Sequence, residues 1–115
     1  GKDFSNSNLE NKIFFGSDLR GANFENSILS GSDFSLANLE NANFKNADLK
    51  FVNFYYANLT NANLSGADLT GTFIRNSNLT NTNFDGSILN KTIFDEADMP
   101  TGKAETKQYF LDCVN

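Results

Sequence analysis

The sequence predicts an all-β solenoid, a stack of short extended edges and turns, and three observations carry that expectation. A large apolar residue recurs every fifth position from Phe4 to Met99 without an insertion. A small residue sits two positions before most of them, as at Ala22, Ala37, Ala42, Ala47, Ala57, Ala62 and Ala67. The pair straddles Asn or Asp in most units, for example Asn38, Asn43, Asp48, Asn58, Asn63 and Asp68. A period of five matches neither the 3.6 of a helix nor the 2.0 of a plain strand. A sustained short repeat instead marks an array whose units bury their apolar faces against their neighbours.

Within a unit, two residues spaced two apart on extended backbone point to the same side. The small and the large residue therefore face inward and the intervening Asn or Asp outward. The remaining two residues must turn the chain. The second of them is Gly or Asn at many units, such as Gly16, Gly21, Asn26, Gly31, Asn41 and Asn46, residue types that accept a left-handed backbone at low cost. Edge, turn and edge in succession wind into a coil.

Ala37-Asn38-Leu39, Ala47-Asp48-Leu49 and Ala67-Asp68-Leu69 resemble the tandem A(D/N)LXX units of the pentapeptide-repeat family, over about the first hundred residues. The resemblance implies a right-handed, quadrilateral parallel β-helix with four units per coil and about five coils. With coils about 4.8 Å apart, such a rod is roughly 24 Å long. Phe and Leu alternate along most of the chain, so a coil of twenty residues stacks like on like. The expected core ladders include Phe14, Phe34, Phe54, Ile74 and Phe94 on one side, and Leu29, Leu49 and Leu69 on another. Asn23, Asn43, Asn63 and Asn83 are expected to stack as an outward amide ladder, as in cross-β arrays.

The first units depart from the pattern, with Lys2 and Lys12 at inward positions. An unpaired buried ammonium is costly. At an open end the stem can cover the bore while the charge reaches water, so this end is expected to be a true terminus. The repeats stop at Pro100, which lacks the amide a further edge would need. The chain thus divides into a repeat domain over 1–100 and a segment over 101–115. That segment reads as a short helix with Thr106, Tyr109, Phe110, Cys113 and Val114 on one side. Two roles are open for it: capping the last coil, or pairing with a second chain.

Composition narrows function by exclusion. The net charge of −5 argues against direct contact with nucleic acid or an anionic membrane surface. No apolar run reaches spanning length, and the single Cys113 points to a reducing, cytoplasmic compartment, with a removed targeting segment left open. There is no histidine to shuttle protons, no base near Cys113 and no phosphate-binding glycine loop, so no enzyme activity, cofactor or metal is expected. Asp48 and Asp68 would stack on adjacent coils, with Lys50 beside them as the neutralising cation.

Surface chemistry remains. The side carrying Phe14, Phe34 and Phe54 inside also carries Ile13, Phe15, Tyr55, Phe73 and Ile93 outside, with Leu36, Phe51 and Tyr56 at its corners. An exposed apolar patch on a soluble protein marks a contact surface. The expected function is a non-catalytic protein–protein interaction or scaffold module. Its partner is a protein of unknown identity or a second copy, paired through the C-terminal helix or the apolar face. The alternative, implied by the resemblance, is a DNA-mimicking protein that binds and protects DNA gyrase against quinolones. The scattered acidic residues, interrupted by Arg20, Lys45, Lys50 and Arg75, do not make the dense carboxylate row that mimicry needs.

Overall fold

The computed structural model describes residues 1–100. The expected helix over 101–115 lies outside the described residues. Parallel bridges join residues twenty apart, so the backbone returns to the same lateral position after every four five-residue units. Successive twenty-residue stretches (1–20, 21–40, 41–60, 61–80 and 81–100) are called rungs 1 to 5 below. Four outward columns run along the ladder. The first begins at Asp3 and Asn23, the second at Asn8 and Ile28, the third at Ile13 and Asp33, and the fourth at Asp18 and Asn38.

The sequence predicts extended edges; the structure forms isolated bridges and no longer strands among the described residues. The reason is geometric. Two of every five residues turn the chain, which leaves one outward residue per unit to pair both its N–H and its C=O with the preceding rung. Asn23 is typical: its N–H donates to the Lys2 carbonyl at 2.8 Å, and its carbonyl accepts from the Phe4 N–H at 2.6 Å. The turns pair as well, as where the Asn26 N–H donates to Lys45 and the Leu36 N–H to Tyr55. Nearly all local polar backbone is thereby satisfied between rungs, as a buried main chain requires.

Most turns close with a bond from the small residue back to the large one before it, for example Ala37 N–H to the Phe34 carbonyl at 3.1 Å. The second turn residue has a positive φ throughout, from Asn6 at 55° to Gly31 at 71°. A positive φ at the third position of a four-residue turn is the type II geometry, and it explains the Gly and Asn preference.

The outward Asn and Asp do something the sequence reading missed. Their Oδ1 atoms accept the N–H two residues on, as in Asn53 to Tyr55 at 2.8 Å and Asn63 to Ser65 at 2.9 Å. These are Asx turns, in which the side chain secures the next corner. The expected amide ladder is a secondary feature: Asn43 donates to Asn23 and Asn58 to Asn38, each at 3.3 Å. The oxygen that a ladder would use is already engaged within its own unit.

Inside the bore, Phe34, Phe54, Ile74, Leu29, Leu49 and Leu69 are fully buried. Phe14 and Phe94, towards the two ends, are half-buried and pack against the same cluster. The Phe columns stack along the rod, with Phe24 over Phe44 at 4.9 Å and 3°. They meet across the bore edge to face, as Phe24 and Phe34 do at 5.4 Å and 87°. Both arrangements suit the aromatic quadrupole. Small inward positions that carry a hydroxyl use it: Thr72, Thr82 and Thr92 donate to the carbonyls of Leu49, Leu59 and Leu69, each twenty-three residues earlier. No buried side-chain polar atom among the described residues lacks a partner. In rung 1, Lys2 and Lys12 are exposed, and the Lys2 ammonium lies 5.9 Å from the Phe4 ring centre.

Candidate functional site

The exposed apolar side chains gather mainly around the third column. Ile13 is 79% exposed, and Phe15, Leu36, Phe51, Tyr55, Tyr56 and Phe73 are exposed as well. Ile93 is only half-exposed. The column itself is not continuous, because half-buried Asp33 and Asn53 stand between Ile13 and Phe73. Continuity comes from one corner, where Phe15, Leu36 and the pair Tyr55 and Tyr56 follow one another over rungs 1 to 3. The two tyrosine rings sit edge to face, 4.5 Å apart at 89°. Phe51 occupies the opposite corner, and its ring lies over the backbone of Gly71, close enough that a Cβ on that glycine would meet it at 2.6 Å.

Three members of this set stand on unusual backbone. Gly or Asn fills all but five of the positive-φ turn positions, and the exceptions are Leu36, Phe51, Tyr56, Lys91 and Glu96. Leu36 at 59°, Phe51 at 61° and Tyr56 at 57° are bulky residues in a region where they are rare.

Two exposed residues escaped the sequence reading. Ile28 and Ile88 lie in the second column, on either side of Asp48 and Asp68. Their signal was present: an apolar residue at an outward position that Asn or Asp normally fills.

The Asp48–Asp68 juxtaposition forms, and a cation holds it. The Lys50 ammonium lies 2.9 Å from Asp48 and 3.8 Å from Asp68. The hydrogen bond to Asp48 leads the causes that raise the Lys50 pKa. No group of three potential metal-ligating side chains occurs among the described residues. The fourth column begins with a bidentate pair, Arg20 to Asp18 at 2.8 and 2.7 Å. That side-chain bond, with the Arg20 N–H, lowers the Asp18 pKa from 3.8 to about 2. A depressed carboxyl contributes stability above its ordinary pKa and loses it as pH falls through about 2. An NMR titration should therefore place the Asp18 midpoint near 2, and Arg20→Gln should return it towards 3.8. A wild-type midpoint already near the ordinary value would show that the pair does not form in solution.

No helix among the described residues is long and apolar enough to cross a membrane.

Comparison with known proteins agrees with this geometry. None of the curated proteins matches the chain. Among solved structures, HetL, a pentapeptide repeat protein involved in heterocyst differentiation regulation in the cyanobacterium Nostoc sp. strain PCC 7120, is 24% identical with a TM-score of 0.64. The match covers 88% of this chain and 52% of that one, so the chain spans about half of HetL. A pentapeptide repeat protein of the Arabidopsis thaliana thylakoid lumen is 31% identical over 100% of this chain and 74% of its own, with a TM-score of 0.46. A trypsin-treated form of QnrB1, a plasmid-mediated fluoroquinolone resistance protein, is 15% identical with a TM-score of 0.52, covering 90% of this chain and 55% of that one. The likenesses to HetL and QnrB1 are likenesses of fold, that of a β-helix. The model of pentapeptide repeats matches in 8 copies over residues 3–35, 32–71 and 62–99, and the chain belongs to the pentapeptide-repeat family.

Proposed function

We propose that this chain is a non-catalytic protein–protein interaction module that presents the third column and its corners to a partner. The rod we propose with it winds right-handed in five four-sided coils, closed or paired by a helix over 101–115. One observation carries the reading: Leu36, Phe51 and Tyr56 hold large exposed apolar side chains on left-handed backbone. Such conformations cost on the order of 1 kcal/mol or more each for a bulky residue, and Asn or Gly would relieve them. Within the rod, Phe51 gains only its contact over Gly71 and Tyr56 only its contact with Tyr55, whereas contact with a partner would offset the strain further. Tyrosine and phenylalanine are also the residue types that anchor protein interfaces.

Gyrase protection by DNA mimicry is the weaker reading. Lys50 neutralises Asp48 and Asp68, Arg20 neutralises Asp18, and no outward column is a continuous row of carboxylates.

The test replaces all three strained residues: Leu36→Asn, Phe51→Asn and Tyr56→Asn. The combined variant should unfold at higher denaturant than the parent, by about 1–3 kcal/mol in total, because the turn strain is relieved while the Phe51 contact over Gly71 is lost. It should also lose association with itself or with a purified partner. Undiminished association alongside raised stability would remove this face as the contact surface.

A further inference from the structure

We propose that the partner of this face is a second copy of the same chain, seated face to face with the two rods antiparallel. The inference rests on the interaction reading above and names its occupant.

Two charge relations across the face are complementary, while the exposed Lys12 falls opposite Thr92. A two-fold axis lying in the contact plane, across the rods at rung 3, brings rung 1 of one copy opposite rung 5 of the other and rung 2 opposite rung 4. Each lateral position then meets its own counterpart. Glu10, at the Phe51 corner of rung 1, comes opposite Asn90 and Lys91 of rung 5. Asp33, in the centre of rung 2, comes opposite Phe73 of rung 4, two residues from Arg75. By symmetry both relations occur twice. Glu10, Arg75 and Lys91 are exposed, and neither they nor Asp33 has an ion-pair partner among the described residues.

The middle rung carries no opposing charge. Its Asn53 would face its own copy at the axis, with Tyr55 and Tyr56 gathered on one side and Phe51 on the other. Lys50, the one cation of that rung near the face, is held towards the second column by Asp48 and Asp68. Ile13 comes opposite Ile93. Asp95 and Glu96 fall opposite Phe15 at the rim, where water solvates them. The parallel arrangement is worse: it brings Lys91 across from Asp95, but it sets Asp33 against Asp33 and leaves Glu10 and Arg75 without an opposing charge. Isologous contact requires a self-complementary patch, and this one matches more of its charges, with no like pair at its centre, when antiparallel.

One face of five rungs offers on the order of 500 Å² per partner, short of the ~800 Å² of a standard interface, so the dimer is a weak one. Sedimentation equilibrium over a concentration series up to about 1 mM should show reversible monomer and dimer. Glu10→Lys and Lys91→Glu should each weaken dimerisation by about five-fold or more, since each creates two like-charge contacts. An equimolar mixture of the two variants should regain parental affinity, because all four facing residues are then of opposite sign. All the residues exchanged are exposed, and circular dichroism checks that the fold is intact.

Monomer throughout the series overturns the second-copy proposal. The interaction reading then stands or falls separately, on whether the Leu36, Phe51 and Tyr56 variant loses a purified partner. A dimer indifferent to Glu10→Lys and Lys91→Glu, or one not restored by mixing, overturns the antiparallel seating. A dimer indifferent to the Leu36, Phe51 and Tyr56 variant as well overturns the face itself.

Discussion

Replacing Ala42 by lysine should remove most of the stability of the rod. Ala42 is 1% exposed, in the same inward column as Lys2, Ala22 and Ala62. In rung 1 the column ends in water, and the Lys2 charge stays exposed beside the Phe4 ring. In rung 3 the wall is sealed by the rungs on both sides. An ammonium there has neither solvent nor a carboxylate to meet, and must deprotonate or force the wall open. The expected loss is above ~4 kcal/mol, against a total of roughly 5–15 kcal/mol for an ordinary domain. Urea unfolding followed by circular dichroism measures it. Lys2→Ala is the control and should be close to neutral. If Ala42→Lys cost less than about 1 kcal/mol, the small inward residues would not form a closed wall.

Phe54→Ala should be nearly as damaging. The ring is fully buried, stacks on Phe34 at 5.4 Å and 20°, and meets Phe44 edge to face at 5.7 Å and 81°. Deleting it leaves a cavity in the centre of the bore, and Phe→Ala changes at such sites cost about 3–5 kcal/mol. The rung backbone is tied to its neighbours by hydrogen bonds, so the bore cannot collapse sideways to fill the gap. In a stacked array each unit also supports the next, so a defect in the middle weakens both halves. Phe14→Ala, at the half-buried end, should cost less than half as much. Equal losses at the two positions would mean that the ends are as well covered as the centre.

These expectations trace back to features of unequal legibility. The inward ladders could be read directly, because burial in a solenoid depends only on the period: Leu29 and Leu49 must stack if every rung takes twenty residues. The turn glycines and asparagines were equally plain, since a left-handed corner excludes most other residues. Outward chemistry was harder. The repeat makes Asn so common that its Oδ1 bond to the N–H two residues on looked like a ladder contact. The hydroxyls of Thr72 and Thr82 find their acceptors twenty-three residues back, a pairing that only the stacked backbone reveals. Ile28 and Ile88 were overlooked because their column was otherwise polar.

The sequence by itself determined the period, the inward and outward division, the corners and hence the stack, because each follows from spacing along one chain. Only the tertiary structure decided which exposed residues become neighbours. Phe51 lies down on Gly71, Tyr55 and Tyr56 meet edge to face, and Leu36 and Tyr56 keep a strained backbone at the surface. Those outcomes depend on side-chain reach, which the linear order does not contain. The apolar face divides between the two: its membership follows from the twenty-residue period, whereas the exposure of each side chain and the strained corners that carry three of them were decided by packing.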